Sequence, residues 1–202
     1  MMDTEYICTI YFGNQTPCLG GVLALNGKTG EPIWTHWTAH SILSVDCDAD
    51  LTNDKVKDCI ISGRGGILQA IDGHDGSNIW KIPLQDLISE LQIISDVYDA
   101  RFIADMDGDG IADVIASHVV QSDNIQASNV LVISGKSGSV IRNMNLPDTE
   151  QLFVAPQIIV HPDGENIFVL ATTSQQDSGG LYIVSQANIF YGDLVCSHNK
   201  IC

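Results

Sequence analysis

A hairpin motif that occurs three times constrains the fold of this chain more than any other feature. It runs Ala24-Leu25-Asn26-Gly27-Lys28-Thr29-Gly30, then Pro32-Ile33-Trp34. It recurs as Ala70-Ile71-Asp72-Gly73-His74-Asp75-Gly76 with Asn78-Ile79-Trp80, and as Val132-Ile133-Ser134-Gly135-Lys136-Ser137-Gly138 with Val140-Ile141-Arg142. Each copy is an apolar strand, a polar turn with two glycines and a second strand, which is a β-hairpin. A worn fourth copy begins at Gly180-Leu181-Tyr182-Ile183-Val184-Ser185 and has lost the turn glycines.

A second element precedes the hairpin. The stretch from Asp50 to Ile61 superposes without a gap on Asp105 to Ala116, at an offset of 55 residues. A worn third version runs from His161 to Leu170. The full unit is strand, acidic loop, strand, turn, strand, glycine turn, strand. Four antiparallel strands repeated at this length predict an all-β fold of propeller blades. The whole chain, 1–202, is predicted to form a partial propeller, an incomplete ring of about four blades at 4–38, 42–82, 97–146 and 152–190. A short helix is expected over 84–96 from the spacing of Leu84, Leu87, Ile88, Leu91 and Ile94. The stretch Val119 to Asn129 stands as a long loop where the second unit has only Arg64-Gly65-Gly66.

The acidic loops carry the predicted chemistry. Asp105, Asp107, Asp109, Ile111 and Asp113 place oxygens at positions 1, 3, 5, 7 and 9, with Ile111 offering its carbonyl. Calcium takes six to eight hard oxygen ligands, and such alternation turns carboxylates toward one point. Gly108 and Gly110 permit the tight wrap. The loop lacks the position-12 glutamate of an EF-hand, where Ala116 stands, and strands flank it. The earlier loop keeps Asp50, Asp54, Asp58, Thr52 and the Val56 carbonyl. Lys55 replaces a glycine there and Lys57 adds charge, so weaker calcium binding is expected.

Lys plus Arg total 9 against 25 Asp plus Glu, a net charge of -16. That balance excludes a nucleic-acid partner, which needs a basic surface, and leaves cations, neutral or basic ligands and proteins. Six cysteines fall in three sequence-close pairs, Cys8 with Cys18, Cys47 with Cys59 and Cys196 with Cys202, among fifteen formally possible pairings, as suits a secreted or luminal domain. Cys47 and Cys59 correspond, at the offset of 55, to Phe102 and Val114, so a cross-strand disulfide is expected there. Asn14-Gln15-Thr16 is an N-glycosylation sequon, followed by Pro17. The chain has no apolar run of membrane-spanning length and no visible signal peptide. Disulfide-type cysteines without an export signal suggest a piece or short form of a longer exported protein.

Catalytic motifs fail on inspection. Gly135-Lys136-Ser137 and Gly27-Lys28-Thr29 lack the earlier glycine of a phosphate-binding loop, which is valine at 130 and 22. No Gly-x-Ser-x-Gly elbow occurs. His36 and His40 flank Trp37 in a strand-like stretch with no helix to align them as a pair, and the six scattered histidines are read as surface or core packing. Trp34 and Trp80 share one repeat position and are read as blade packing.

The hairpin Leu23 to Trp34 resembles the quinoprotein-type propeller repeat. The loop Asp105 to Asp113 resembles the calcium loops of integrin-alpha FG-GAP repeats, without evident Phe-Gly and Gly-Ala-Pro cores. Together, with Thr35 through Trp80 carrying most of the likeness, the chain resembles the ectodomain of the membrane proteins called family with sequence similarity 234. That resemblance implies a luminal or extracellular propeller, anchored in the membrane through segments absent here, and implies no catalytic activity. The expected function is a noncatalytic module with calcium-stabilised loops that binds a protein or glycan partner through variable loops such as 119–129. The rivals are a pyrroloquinoline-quinone-type dehydrogenase, which needs a closed ring, a quinone and a base, and a truncated nonfunctional product.

Overall fold

Strands alternate with tight turns along the whole described chain, because apolar residues at a spacing of two are bounded by glycine, aspartate and asparagine. The computed structural model describes residues 18–82, 94–122, 126–146, 150–160, 166–174 and 179–191. Within them lie β1 (Gly20–Leu25), β2 (Pro32–Thr38), β3 (Ile42–Ala49), β4 (Asp58–Gly63), β5 (Leu68–Ile71), β6 (Asn78–Lys81), β7 (Ile94–Ile103), β8 (Asp113–Gln121), β9 (Gln126–Ile133) and β10 (Val140–Asn145). They are followed by β11 (Glu150–Gln151), β12 (Gln157–Val160), β13 (Asn166–Ala171), β14 (Thr173–Ser174), β15 (Leu181–Ser185) and one helix, α1 (Gln186–Tyr191).

The sheets follow the chain. Strands β3-β4-β5-β6 form one four-stranded antiparallel sheet and β7-β8-β9-β10 another. Strands β1 and β2 pair as a hairpin, β12-β13-β15 form a three-stranded sheet, and β11 pairs with β14. Successive meander sheets that pack face to face are propeller blades, and the ring they trace is open. The three repeated hairpins turn identically. Gly30 N–H donates to Asn26 O, Gly76 to Asp72 and Gly138 to Ser134, at 2.7, 2.8 and 2.8 Å. The donating glycines sit at φ of +73°, +77° and +72°, where a side chain would be strained.

Two expectations need correction. Of the helix expected over 84–96, residues 84–93 lie outside the described residues, and 94–96 are strand. Ile94, Ser95 and Asp96 pair with Gln121, Val120 and Val119, so cross-strand bonding places the last three residues of that span in β7. The long loop expected at 119–129 is mostly hairpin. Val119 pairs with Ser128, Val120 with Ala127 and Gln121 with Gln126, so β8 and β9, with β7 alongside, run past the edge strand β10.

Burial follows the blade order. All six residues of β4 are buried, and β8 is buried from Asp113 to Val119, because another sheet covers each face. Strands β1 and β15 alternate between covered and exposed residues, as sheets covered on one face do. Along β4, Ile61 faces the first hairpin with Ile71, and Ile60 faces the third sheet with Val97 and Ile133. Along β8, Val114 faces back to the second sheet, and Ile115 faces forward to Phe168 and Leu170.

An indole keys each of the first two junctions. Trp34 Nε1 donates to Gly73 O at 2.9 Å, and Trp80 Nε1 donates to Gly135 O at 2.7 Å. Each ring lies against the positive-φ glycine of the same turn. A Cβ placed on Gly76 or Gly138 would come within 2.7 Å of the Trp34 or Trp80 ring. Only glycine leaves room for that approach. Position 142 holds an exposed arginine, and the fourth unit has no matching turn to receive an indole.

Polar bonds complete the junction between the second and third sheets. Ser62 accepts from Ala100 N–H, and Asp46 accepts from Phe102 N–H. Arg64 pairs with the buried Asp96, which also accepts from Gly65 N–H at 3.2 Å, and the guanidinium lies 5.9 Å from the Tyr98 ring centre. Behind them Ser95 and His118 hydrogen-bond at 2.8 Å while 4% and 6% exposed, so this serine and histidine serve the interior. Burial pushes the His118 imidazole below its ordinary value, and the Asp96 carboxylate opposes this in part. Further along, Glu150 is buried against Thr172 and the Tyr182 hydroxyl.

Two outcomes are expected. Trp80→Phe keeps an aromatic ring but strands a buried carbonyl, and should lower the unfolding free energy in urea by about 1–3 kcal/mol. Trp80→Ala should cost about 3–5 kcal/mol; a Phe variant as stable as the parent would show that the indole bond contributes nothing. His118 is held neutral, so its folded pKa lies below the value of 6.5 for the free side chain. As pH falls through that value the unfolded chain takes a proton first, and stability drops until the folded pKa is passed. Thermal midpoints measured from about pH 7.5 to about pH 5 should fall, and His118→Gln should flatten that fall. An unchanged slope would remove His118 as its source.

Candidate metal centre

The loop between β7 and β8 folds around its own first carboxylate. Asp105 accepts Gly108 N–H at 2.7 Å and Gly110 N–H at 2.8 Å, one on each oxygen. Asp107 accepts Asp109 N–H at 3.1 Å, and Asp109 accepts Ile111 N–H at 2.9 Å. Gly108 and Gly110 take φ of +81° and +87°, so the chain coils instead of extending. One carboxylate oxygen each from Asp105, Asp107 and Asp109 then falls within 4.8 Å of the others. The Gly110 amide does most to hold the Asp105 carboxyl below its ordinary value, with the amides of Gly108, Asp109 and Asp107 adding to it. A low pKa keeps this ligand charged. Three convergent hard oxygens on a glycine-wrapped loop fit a divalent, oxygen-preferring cation.

The loop between β3 and β4 repeats this path on a different sequence. Asp50 accepts Asp54 N–H at 3.2 Å and Lys55 N–H at 2.9 Å, and Asp54 accepts Val56 N–H at 2.7 Å. Desolvation pushes Asp50 up, yet the amides of Lys55, Asn53 and Asp54 with the Thr52 hydroxyl outweigh it and leave the carboxyl below its ordinary value. Asn53 and Lys55 adopt φ of +60° and +74° at the positions of Gly108 and Gly110. The wrap therefore survives without glycine, at a cost in backbone strain. Lys57 reaches away to Asp48, pairing at 3.0 Å, so its charge is partly spent outside the loop. Among the described residues, three-carboxylate convergence occurs at 105–109 and not at 50–58.

The ninth position does something the sequence did not reveal. Asp113 is fully buried; one oxygen accepts Met106 N–H at 2.6 Å and the other accepts Gly135 N–H at 3.0 Å. Asp58 does the same with Leu51 N–H at 2.7 Å, Thr52 N–H at 3.0 Å and Gly73 N–H at 2.9 Å. Each carboxylate thus ties an acidic loop to the glycine turn of its own blade. Each opens the second strand of its blade, Asp58 on β4 and Asp113 on β8, and that shared place was the available signal. Burial raises Asp113, opposed by the amides of Gly135 and Met106, and the nearby Asp107 charge raises it further. Asp113 stands outside the convergent group of three carboxylates.

The neck of the earlier loop is covalent. Cys47 on β3 and Cys59 on β4 form a disulfide with Cα atoms 4.0 Å apart. Phe102 and Val114, at the corresponding places, are cross-strand partners. Cys18 is buried and disulfide-bonded, to a partner outside the described residues, where Cys8 falls. Cys196, Cys202 and the Asn14 sequon also lie outside them. His36 is held between the Gly76 carbonyl at 3.0 Å and the Gln69 amide at 3.1 Å, bonds that join two blades. No helix among the described residues is long and apolar enough to cross a membrane.

Comparison with known proteins agrees with this architecture. The family model of the FAM234A/B beta-propeller matches residues 6–190. Mouse Protein FAM234A is 30% identical over 129 residues, which is 62% of this chain and 22% of that protein. Rat Protein FAM234A is 30% identical over 105 residues, 51% of this chain and 18% of its own. Chicken Protein FAM234B is 26% identical over 132 residues, 64% and 20% respectively. The matched region spans about a fifth of each relative's length. A match to the family propeller over most of the chain, on blades built as described above, identifies it: the chain belongs to the FAM234A/B β-propeller family.

Proposed function

We propose that this chain is a noncatalytic propeller module of a membrane-anchored protein, facing the extracellular space or secretory-pathway lumen, with calcium held at 105–113. The observation that carries the reading is the convergence of Asp105, Asp107 and Asp109 within 4.8 Å on a loop whose amides keep Asp105 ionised. The Ile111 carbonyl and the remaining lone pairs of Asp113 would complete an all-oxygen set, and the cation would relieve the repulsion of the clustered carboxylates. The 50–58 loop, with fewer convergent carboxylates, would bind more weakly through Asp50, Thr52, Asp54, Val56 and Asp58. The Cys47–Cys59 disulfide supports an oxidising compartment. The extended β8–β9 hairpin would meet a protein or glycan partner, since rigid blades hold such projections in place.

Calcium at about 10 mM should raise the thermal midpoint by about 3–10 °C if the site binds like an extracellular module. A chelator should reverse the rise and Asp109→Ala should abolish it. An equal rise in Asp109→Ala would assign the effect elsewhere. For the partner, binding of the labelled chain to glycan arrays and to cell surfaces should weaken about tenfold in Gln121→Arg, with the thermal midpoint unchanged. Binding that ignores this added charge would remove the hairpin from the contact face.

A further inference from the structure

At the end of the sheets opposite the acidic loops, a buried carboxylate holds a half-exposed arginine. Arg64 directly follows β4, and its side chain is 52% exposed, whereas its partner Asp96 is 4% exposed. The other Asp96 oxygen accepts Gly65 N–H at 3.2 Å. Arg64 bonds to Asp96 and to the Tyr98 hydroxyl, the latter at 3.3 Å, and both bonds leave from Nη1. Among the described residues nothing is bonded to the Nε–Nη2 edge of this guanidinium. That edge is a two-pronged donor for a planar acid.

Sheet packing does not demand the pair. At the offset of 55 that relates the two four-stranded sheets, Val119 stands at the place of Arg64 and is 2% exposed. The next junction thus fills that place with an apolar side chain. An ion pair open to water on its cationic side contributes little stability. What Asp96 does fix is the direction in which the guanidinium points.

An aromatic wall stands beside the fork. The guanidinium carbon lies 5.9 Å from the Tyr98 ring centre, and the half-buried Tyr98 and Phe153 rings meet edge to face with centres 5.3 Å apart. The Tyr98 hydroxyl is taken up by Arg64 and Asp96, so this pair offers ring surface. Backbone strain helps to place it. Strand β7 bulges between Tyr98 and Arg101, with Asp99 at φ of +48°. Asp99 there accepts the amide of Ala155 at 3.3 Å, which holds the segment carrying Phe153 next to Tyr98. Asp96 pairs with Val119, so the group sits at the foot of the extended β8–β9 hairpin.

We propose that Arg64, Tyr98 and Phe153 form a site for the carboxylate-bearing sugar of an acidic glycan. The inference rests on the reading of the chain as a noncatalytic binding module and names a ligand class for that face. The Nε–Nη2 edge takes a carboxylate in two parallel bonds, and the rings offer an apolar surface to the C–H face of a pyranose. Overall charge selects among acids. A net charge of -16 repels a polyanion, an acidic peptide or an anionic membrane, whereas one carboxylate on a neutral body is governed by the local fork.

The probes are the methyl α-glycosides of N-acetylneuraminic acid and of glucuronic acid. Methyl glucoside is the neutral control, and acetyl-diglycine supplies a carboxylate without a sugar. Each is titrated into the isotope-labelled chain and followed by NMR. At least one acidic sugar should move the Arg64 Nε–H resonance saturably, with a Kd of about 1–10 mM, and which of the two does so names the sugar. Both controls should bind at least about tenfold more weakly. Arg64→Lys keeps a charge against Asp96 but loses the fork, and should weaken the acidic sugar about tenfold. Phe153→Leu, which leaves the ion pair intact, should weaken it about threefold. No saturable shift at Arg64 overturns the proposal, as does equal binding of either control, or of the acidic sugar by either folded variant. A chain that binds cell surfaces while Arg64 ignores all four probes loses this site and remains a binding module.

Discussion

An indole seated on a glycine of the next blade sets the distance and tilt at which successive sheets pack. Sheet faces lined with isoleucine, leucine and valine attract without direction, so packing alone leaves their relative slide weakly defined. The bonds from Trp34 to Gly73 and from Trp80 to Gly135 supply the direction. They work because Gly76 and Gly138 carry no Cβ, which lets a ring approach the backbone closer than any side chain would permit. The buried rows then meet across each junction, Ile61 and Ile71 against Val22 of the first hairpin and Ile60 against Ile133 of the third sheet. Ser62 and Asp46 are likewise placed to receive the amides of Ala100 and Phe102.

Within a blade the corresponding constraint is the buried carboxylate. Asp58 and Asp113 each accept amides from two turns that are remote in sequence, 15 residues apart for Asp58 and Gly73 and 22 for Asp113 and Gly135. A charge placed in the interior is tolerated when amides solvate it, and removing one partner leaves the rest costly. The glycine turn that receives the neighbour's indole is thereby anchored to the acidic loop of its own blade. Junction and loop form one chain of contacts: indole, glycine turn, buried aspartate, acidic loop.

Much of the fold was legible because its signals are local. Two glycines in Asn26 to Gly30, Asp72 to Gly76 and Ser134 to Gly138 define the turns, and the offset of 55 between the acidic stretches defines the repeat. What failed were readings where a local signal competed with cross-strand pairing. Ile94 fitted a helical spacing, but Ser95 and Asp96 found partners on β8. The stretch 119–129 looked like a loop because its length exceeded the neighbour's turn, although Val119 to Gln121 pair with β7 on one side and β9 on the other. The convergence of the 105–109 aspartates was visible from spacing. The second task of Asp113 was not, since a ninth-position ligand and a buried amide acceptor look alike until the hairpin glycine is brought beside it.

The two acidic loops solve one problem by different chemistry. Each must coil through two positive-φ residues at the mouth of a β-hairpin. In 105–113 glycines remove that strain, but three converging carboxylates introduce repulsion that a cation would relieve. In 50–58 the carboxylate set is thinner, and Lys55 accepts a left-handed conformation that costs about 1–2 kcal/mol. There the Cys47–Cys59 disulfide clamps the neck, at the place where Phe102 and Val114 only touch in the other blade. A crosslink that restricts the unfolded chain is of a size to offset such strain. The blade with the covalent neck thus carries the strained loop with fewer converging carboxylates, and the blade without one carries the relaxed loop with three.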